Sequence, residues 1–67
     1  MKTTIKLMDT DWDFEWKYDS LCGEIEIIQV YVNDTPMKPL YEVLVENGHI
    51  DEELEVLEII KREVQND

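Results

Sequence analysis

One stretch constrains this chain more than any other: Asp9-Thr10-Asp11-Trp12-Asp13-Phe14-Glu15-Trp16-Lys17-Tyr18-Asp19, in which acids and aromatics alternate. Side chains on a strand point to opposite faces with a period of two, so the alternation predicts a β-strand over residues 12–18. Trp12, Phe14, Trp16 and Tyr18 then share one face, while Asp11, Asp13, Glu15 and Lys17 share the other. Such a strand needs cover for its aromatic face and can leave its acidic face in water.

The flanking segments supply that cover. Thr3-Thr4-Ile5-Lys6-Leu7-Met8 reads as a first strand, with Ile5 and Leu7 opposite in facing to Lys6. Asp9-Thr10 is expected to form the turn into the second strand, and Asp19-Ser20-Leu21-Cys22-Gly23 a loop after it. Residues 24–33 form a third and most apolar strand, whose alternation breaks at Ile27-Ile28. Burial on both faces or a β-bulge would each explain that break. Asp34-Thr35-Pro36-Met37-Lys38-Pro39 leaves the sheet, and a short helix with Leu40, Val43 and Leu44 at helical spacing ends at Asn47-Gly48. A second helix spans residues 51–65, with Asp51-Glu52-Glu53 at the positive end of its dipole and Lys61-Arg62 at the negative end. The fold class is therefore α+β: a three-stranded antiparallel sheet followed by two helices, β-β-β-α-α, in one domain over residues 1–67.

Around the second helix, Leu54, Val56, Leu57, Ile59, Ile60 and Val64 cover more than half of the circumference. That stripe is wider than one small sheet requires. The first helix, a partner or a second copy would have to bury the remainder, so both monomer and homodimer are expected states.

Composition narrows the function. A net charge of −11 on 67 residues repels nucleic acid and anionic membranes and attracts basic protein grooves. The single Cys22 cannot form an internal disulfide, and the first residues lack the apolar core of a signal peptide, which together predict a cytoplasmic protein. No apolar run approaches the ~20 residues that a membrane span needs.

Specific chemistry finds little support. Asp9-x-Asp11-x-Asp13 matches the opening of a calcium loop, but the sixth position is Phe14 rather than Gly and the twelfth is Ser20 rather than Glu. The chain has one His, one Cys and one Ser with no nucleophile signature around them, so no catalytic residue is assigned. Cys22, His49 and Glu24 or Asp51 are zinc-ligand types that a returning first helix could gather, but no paired ligand motif accompanies them. A surface His49 and a half-buried Cys22 are expected instead, with no metal or cofactor.

What remains is the charge itself. Acids at alternate strand positions lie about 6.6–6.8 Å apart on one face, so Asp11, Asp13 and Glu15 form a rigid row of anions comparable to a phosphate backbone. Asp9 extends the row, and Glu52, Glu55 and Glu58 on the second helix form a second set of candidate partner contacts. In size, acidity and absence of catalytic residues the chain resembles the small phage and mobile-element proteins that counter bacterial defence, namely anti-CRISPR proteins and DNA mimics. That resemblance implies a non-catalytic inhibitor, active in the bacterial cytoplasm, that binds a CRISPR effector or another nucleic-acid enzyme and blocks its target DNA. The alternative is a small interaction or assembly module that dimerises or docks through the apolar face of its second helix.

Overall fold

The computed structural model describes residues 1–65. Its sheet holds four antiparallel strands in sequence order: β1 (Lys2–Leu7), β2 (Thr10–Asp19), β3 (Glu24–Val32) and β4 (Thr35–Pro36). Helix α1 (Lys38–Glu46) follows, and then a second helix that opens as a π-helical segment (Glu52–Leu57) and continues as α2 (Glu58–Gln65). The expected α+β order is present, with a two-residue fourth strand where the chain was expected simply to leave the sheet.

Both tight hairpins use two-residue turns with positive φ. Leu7 pairs with Thr10, so the first turn is Met8-Asp9 at φ 51 and 60, one residue earlier than the expected Asp9-Thr10. Val32 pairs with Thr35 around Asn33-Asp34, at φ 51 and 64. Two successive positive-φ residues give the backbone twist that suits a right-twisted hairpin. Asp and Asn tolerate that conformation better than most residues.

The broken alternation in β3 is a bulge. Glu15 pairs with Gln29 but Trp16 pairs with Ile27, which leaves Ile28 as the extra residue. The inserted residue resets the pleat, so Ile25 and Ile27 before it face the same side as Val30 and Val32 after it. Double-sided burial is thereby excluded: Ile28 itself is 44% exposed.

The helices cover the aromatic face of β2. Trp12, Phe14 and Trp16 are buried together with Ile5, Leu7, Val30, Tyr41, Ile50, Val56 and Ile60. The Tyr41 ring meets Phe14 edge-on at 5.3 Å between centroids and tilts against Trp12 at 6.3 Å. Such aromatic pairs add about 0.5–1.5 kcal/mol beyond their buried area. Tyr18 was expected with the other aromatics, but it lies toward the far end of β2 and is 41% exposed.

Both helices present a narrower apolar face than counting at 100° per residue suggests. In α1 the inward residues are Tyr41, Leu44 and Val45, while Leu40 and Val43 are exposed. The start of α1 is tied to the sheet by the Met37 N–H, which donates to Val30 O at 2.7 Å, and Tyr41 is the residue that reaches the core from there. In the second helix Val56 and Ile60 are buried, Leu57 and Val64 half-buried, and Leu54 and Ile59 exposed. A π turn closes i→i+5 and advances fewer degrees per residue, as in the Glu58 N–H that bonds Glu53 O. Leu54 is thus carried away from the core.

Polar groups inside the fold are partnered, and among the described residues no buried side-chain nitrogen or oxygen lacks a hydrogen bond. The Trp12 indole donates to Leu7 O at 3.2 Å and the Trp16 indole to Thr3 Oγ1 at 2.9 Å. Thr3 in turn donates to Glu63, which ties β1 to α2. No helix among the described residues is long and apolar enough to cross a membrane.

Candidate functional site

Register places the acidic row of β2 where its alternation predicts, on the sheet face opposite the helices. Asp11, Asp13 and Glu15 lie there, but each has a neighbour on β1: Lys6 pairs with Asp11, Thr4 with Asp13 and Lys2 with Glu15. Directly opposed residues have Cβ atoms about 4.5–5.5 Å apart, close enough for opposite charges to interact. Thr4 Oγ1 donates to Asp13 Oδ1 at 2.6 Å, and the Lys2 ammonium sits 5.1 Å from the centre of the Tyr31 ring. Further along, Lys17 pairs with Glu26 at 3.1 Å. Three lysines therefore accompany the row, and Asp13 and Glu15 are half-buried among their neighbours. Asp9 stands in the first hairpin turn with positive φ, exposed and beyond the row.

The helical set lies on the layer that covers the other sheet face. Asp51 caps the second helix by accepting from the Leu54 N–H at 3.2 Å, and Glu55 closes the cap reciprocally by accepting from the Asp51 N–H at 2.9 Å. Glu58 stands 4.0 Å from Arg62, both well exposed. Glu52 differs from the others: half-buried, it accepts the Tyr41 hydroxyl at 2.8 Å. Burial, then that hydrogen bond and the Glu52 charge, hold the Tyr41 hydroxyl proton well above the usual tyrosine range. Hence the seven expected contact residues fall into two groups on opposite layers, and the fold does not merge them into one patch.

Two surface features escape a reading of charge and periodicity. The first is a notch of about 320 Å³ between β3 and the helices, floored by Ile25, Ile27, Tyr41 and Leu57 and rimmed by Glu26, Lys38, Glu42 and Glu52. Only tertiary packing brings Glu26, Glu42 and Glu52 together, since no sequence motif links them. The second is the free edge of β3: β4 pairs only with Tyr31 and Val32, so the strand continues beyond it without a neighbour on that side.

The zinc grouping is not assembled. Cys22, expected to be half-buried, is exposed in the loop between β2 and β3, His49 is exposed in the loop after α1, and among the described residues no three His, Cys, Asp or Glu side chains are placed to hold a metal ion. Comparison with protein-family models, with curated proteins and with solved structures returns no match.

Proposed function

We propose that this chain is a non-catalytic binding protein that acts in the bacterial cytoplasm on a basic nucleic-acid-binding protein, such as a CRISPR effector, and competes with its nucleic acid. The observation that supports this reading is uncompensated surface charge. Against a net charge of −11 the described residues make only two ion pairs, Lys17–Glu26 and Glu58–Arg62, both at the surface. Solubility of a small domain needs a net charge of magnitude only about 2–8. The surplus confers fast, salt-sensitive attraction to a basic groove.

The test is competition. A basic nucleic-acid-binding protein loaded with labelled duplex should release it as this chain is added, and the effect should weaken as salt rises. Neutralising the sheet row with Asp11→Asn, Asp13→Asn and Glu15→Gln should reduce the competition at least about tenfold, which is roughly 1.4 kcal/mol. A partner that binds this chain and its nucleic acid together would overturn the reading, and unchanged competition by the triple variant would remove the sheet row from the site.

A second reading has its own support in the exposure of Leu54, at 68%, and Ile59 on the second helix. These residues, with Val56 and Ile60 buried, are what remains of the expected assembly face. Light scattering on wild type and on Leu54→Ser with Ile59→Ser separates the two: a dimer lost in the variant favours assembly, and a monomer in both favours the inhibitor.

A further inference from the structure

We propose that the free edge of β3, residues 24–28, takes up an extended basic segment of the partner as an added strand. This inference rests on the reading above and specifies how that partner would dock. Exposed strand edges are templates for pairing, and proteins blunt them with charged side chains, lysine above all, or with bulges such as the one at Ile28. The two free edges of this sheet differ in the sign of their charge. β1 carries Lys2 and Lys6, whereas the free part of β3 carries Glu24 and Glu26 and no lysine. The short β4 ends opposite Tyr31, and the Met37 N–H that follows it bonds Val30 O, so no strand pairs with β3 on that side below Val30, where Glu24 and Glu26 lie.

The notch supplies side-chain recognition to match. A strand added to β3 directs alternate side chains to each face of the sheet. On the helix side they would enter the notch, where a lysine or arginine could lay its stem along Ile25, Ile27 and Leu57 and carry its charge to Glu42 and Glu52. On the open side they would meet Glu24 and Glu26, both exposed, where a ligand cation would share Glu26 with Lys17, which stands 3.1 Å from it. Lys38, also at the rim, leaves the carboxylates in excess. One strand added here would meet Glu24 and Glu26 on the open side and Glu42 and Glu52 on the helix side. A second copy pairing β3 to β3 in antiparallel about Ile25 would set Glu24 of each copy against Glu26 of the other, so charge selects a basic strand over self-association.

The experiment uses the full chain and a synthetic peptide alternating lysine with valine, followed by amide chemical shifts and hydrogen exchange. Shifts and slowed exchange should centre on residues 24–28. Glu26→Gln with Glu42→Gln, both exposed positions, should weaken the peptide at least about tenfold. Of two peptides N-methylated at odd or at even positions, one should lose binding, because only one set of amides faces β3. Equal binding by both methylated peptides, shifts centred on Asp11, Asp13 and Glu15, or no binding by the wild type would overturn strand addition. So would a wild type that self-associates through β3. The two proposals fail separately: if the Glu26/Glu42 variant loses the peptide yet still displaces duplex from the partner, the docking mode is wrong and the inhibitor reading stands. If the peptide adds to β3 but no basic nucleic-acid-binding protein loses its duplex, the reverse holds.

Discussion

Tyr41 shows most clearly how one side chain joins the core to the surface of this protein. Its ring is buried against Phe14 and Trp12, while its hydroxyl reaches Glu52 at the rim of the notch. The neutral phenol satisfies a half-buried carboxylate, and ionisation would set two negative charges side by side. The consequence is a pH dependence of known sign. Unfolded tyrosine titrates at about pH 10, and in the fold the Tyr41 proton is held well above that range. Below the unfolded value both states keep the proton and the contribution to stability is intact. Above it the unfolded chain releases the proton and the folded chain does not, so stability falls by up to about 1.4 kcal/mol per pH unit. Tyr41→Phe removes this dependence. Urea unfolding of wild type and variant across the alkaline range should show a shallower decline in the variant, and parallel declines would mean that the phenol titrates normally in the fold.

At the scale of elements, the strands were legible because period two is a local property and the interior of β2 obeys it strictly. Trp12, Phe14 and Trp16 went inward and Asp11, Asp13 and Glu15 outward, as their alternation requires. The bulge was visible as a fault at Ile27-Ile28, but choosing it over double burial needed the pairing partner, because only the shift from Glu15↔Gln29 to Trp16↔Ile27 identifies the extra residue. Helix faces were less legible. Leu40 and Leu54 fit apolar stripes by angular count, yet the anchor at Met37 and the π turn set the actual phase, and neither leaves a mark on hydropathy. The candidate site was legible as charge and illegible as geometry: the lysines opposite the β2 row, and the meeting of Glu26, Glu42 and Glu52, depend on register and packing. The hairpin turns carry a testable consequence of their own. Asn33-Asp34 holds two positive-φ residues, and Asp34→Gly would create the Asn-Gly pair favoured in such turns. Relief of the αL cost exceeds the added freedom of the unfolded chain, so a gain of about 0.5–1 kcal/mol is expected. The urea midpoint should rise with the slope unchanged, while Asp34→Ala should lower it.

For the molecule as a whole, charge opposes compaction and the fold does little locally to cancel it. The two ion pairs, Lys17–Glu26 at 3.1 Å and Glu58–Arg62 at 4.0 Å, are exposed, and pairs of that kind contribute about 0–1 kcal/mol each. Across β1 and β2, Lys2 and Lys6 face Glu15 and Asp11, and these attractions are also open to solvent. Screening acts on both signs of interaction, so the balance between them decides the response to salt. Repulsions outnumber attractions in a chain at −11, and they act between acids spread over both layers of a body 29 × 24 × 18 Å in extent. A screening length of about 8 Å at physiological ionic strength removes most of the long-range repulsion and leaves the contact pairs partly intact. Added sodium chloride should therefore raise the melting temperature from low to moderate salt, and the rise should shrink in a variant that neutralises the exposed Glu24, Glu46 and Glu53. A melting temperature that falls over the same interval would mean that the cross-strand lysines hold the sheet more firmly than the surplus acids push it apart. The acidic row would then belong to the sheet's own stability, and its availability to a partner would be reduced accordingly.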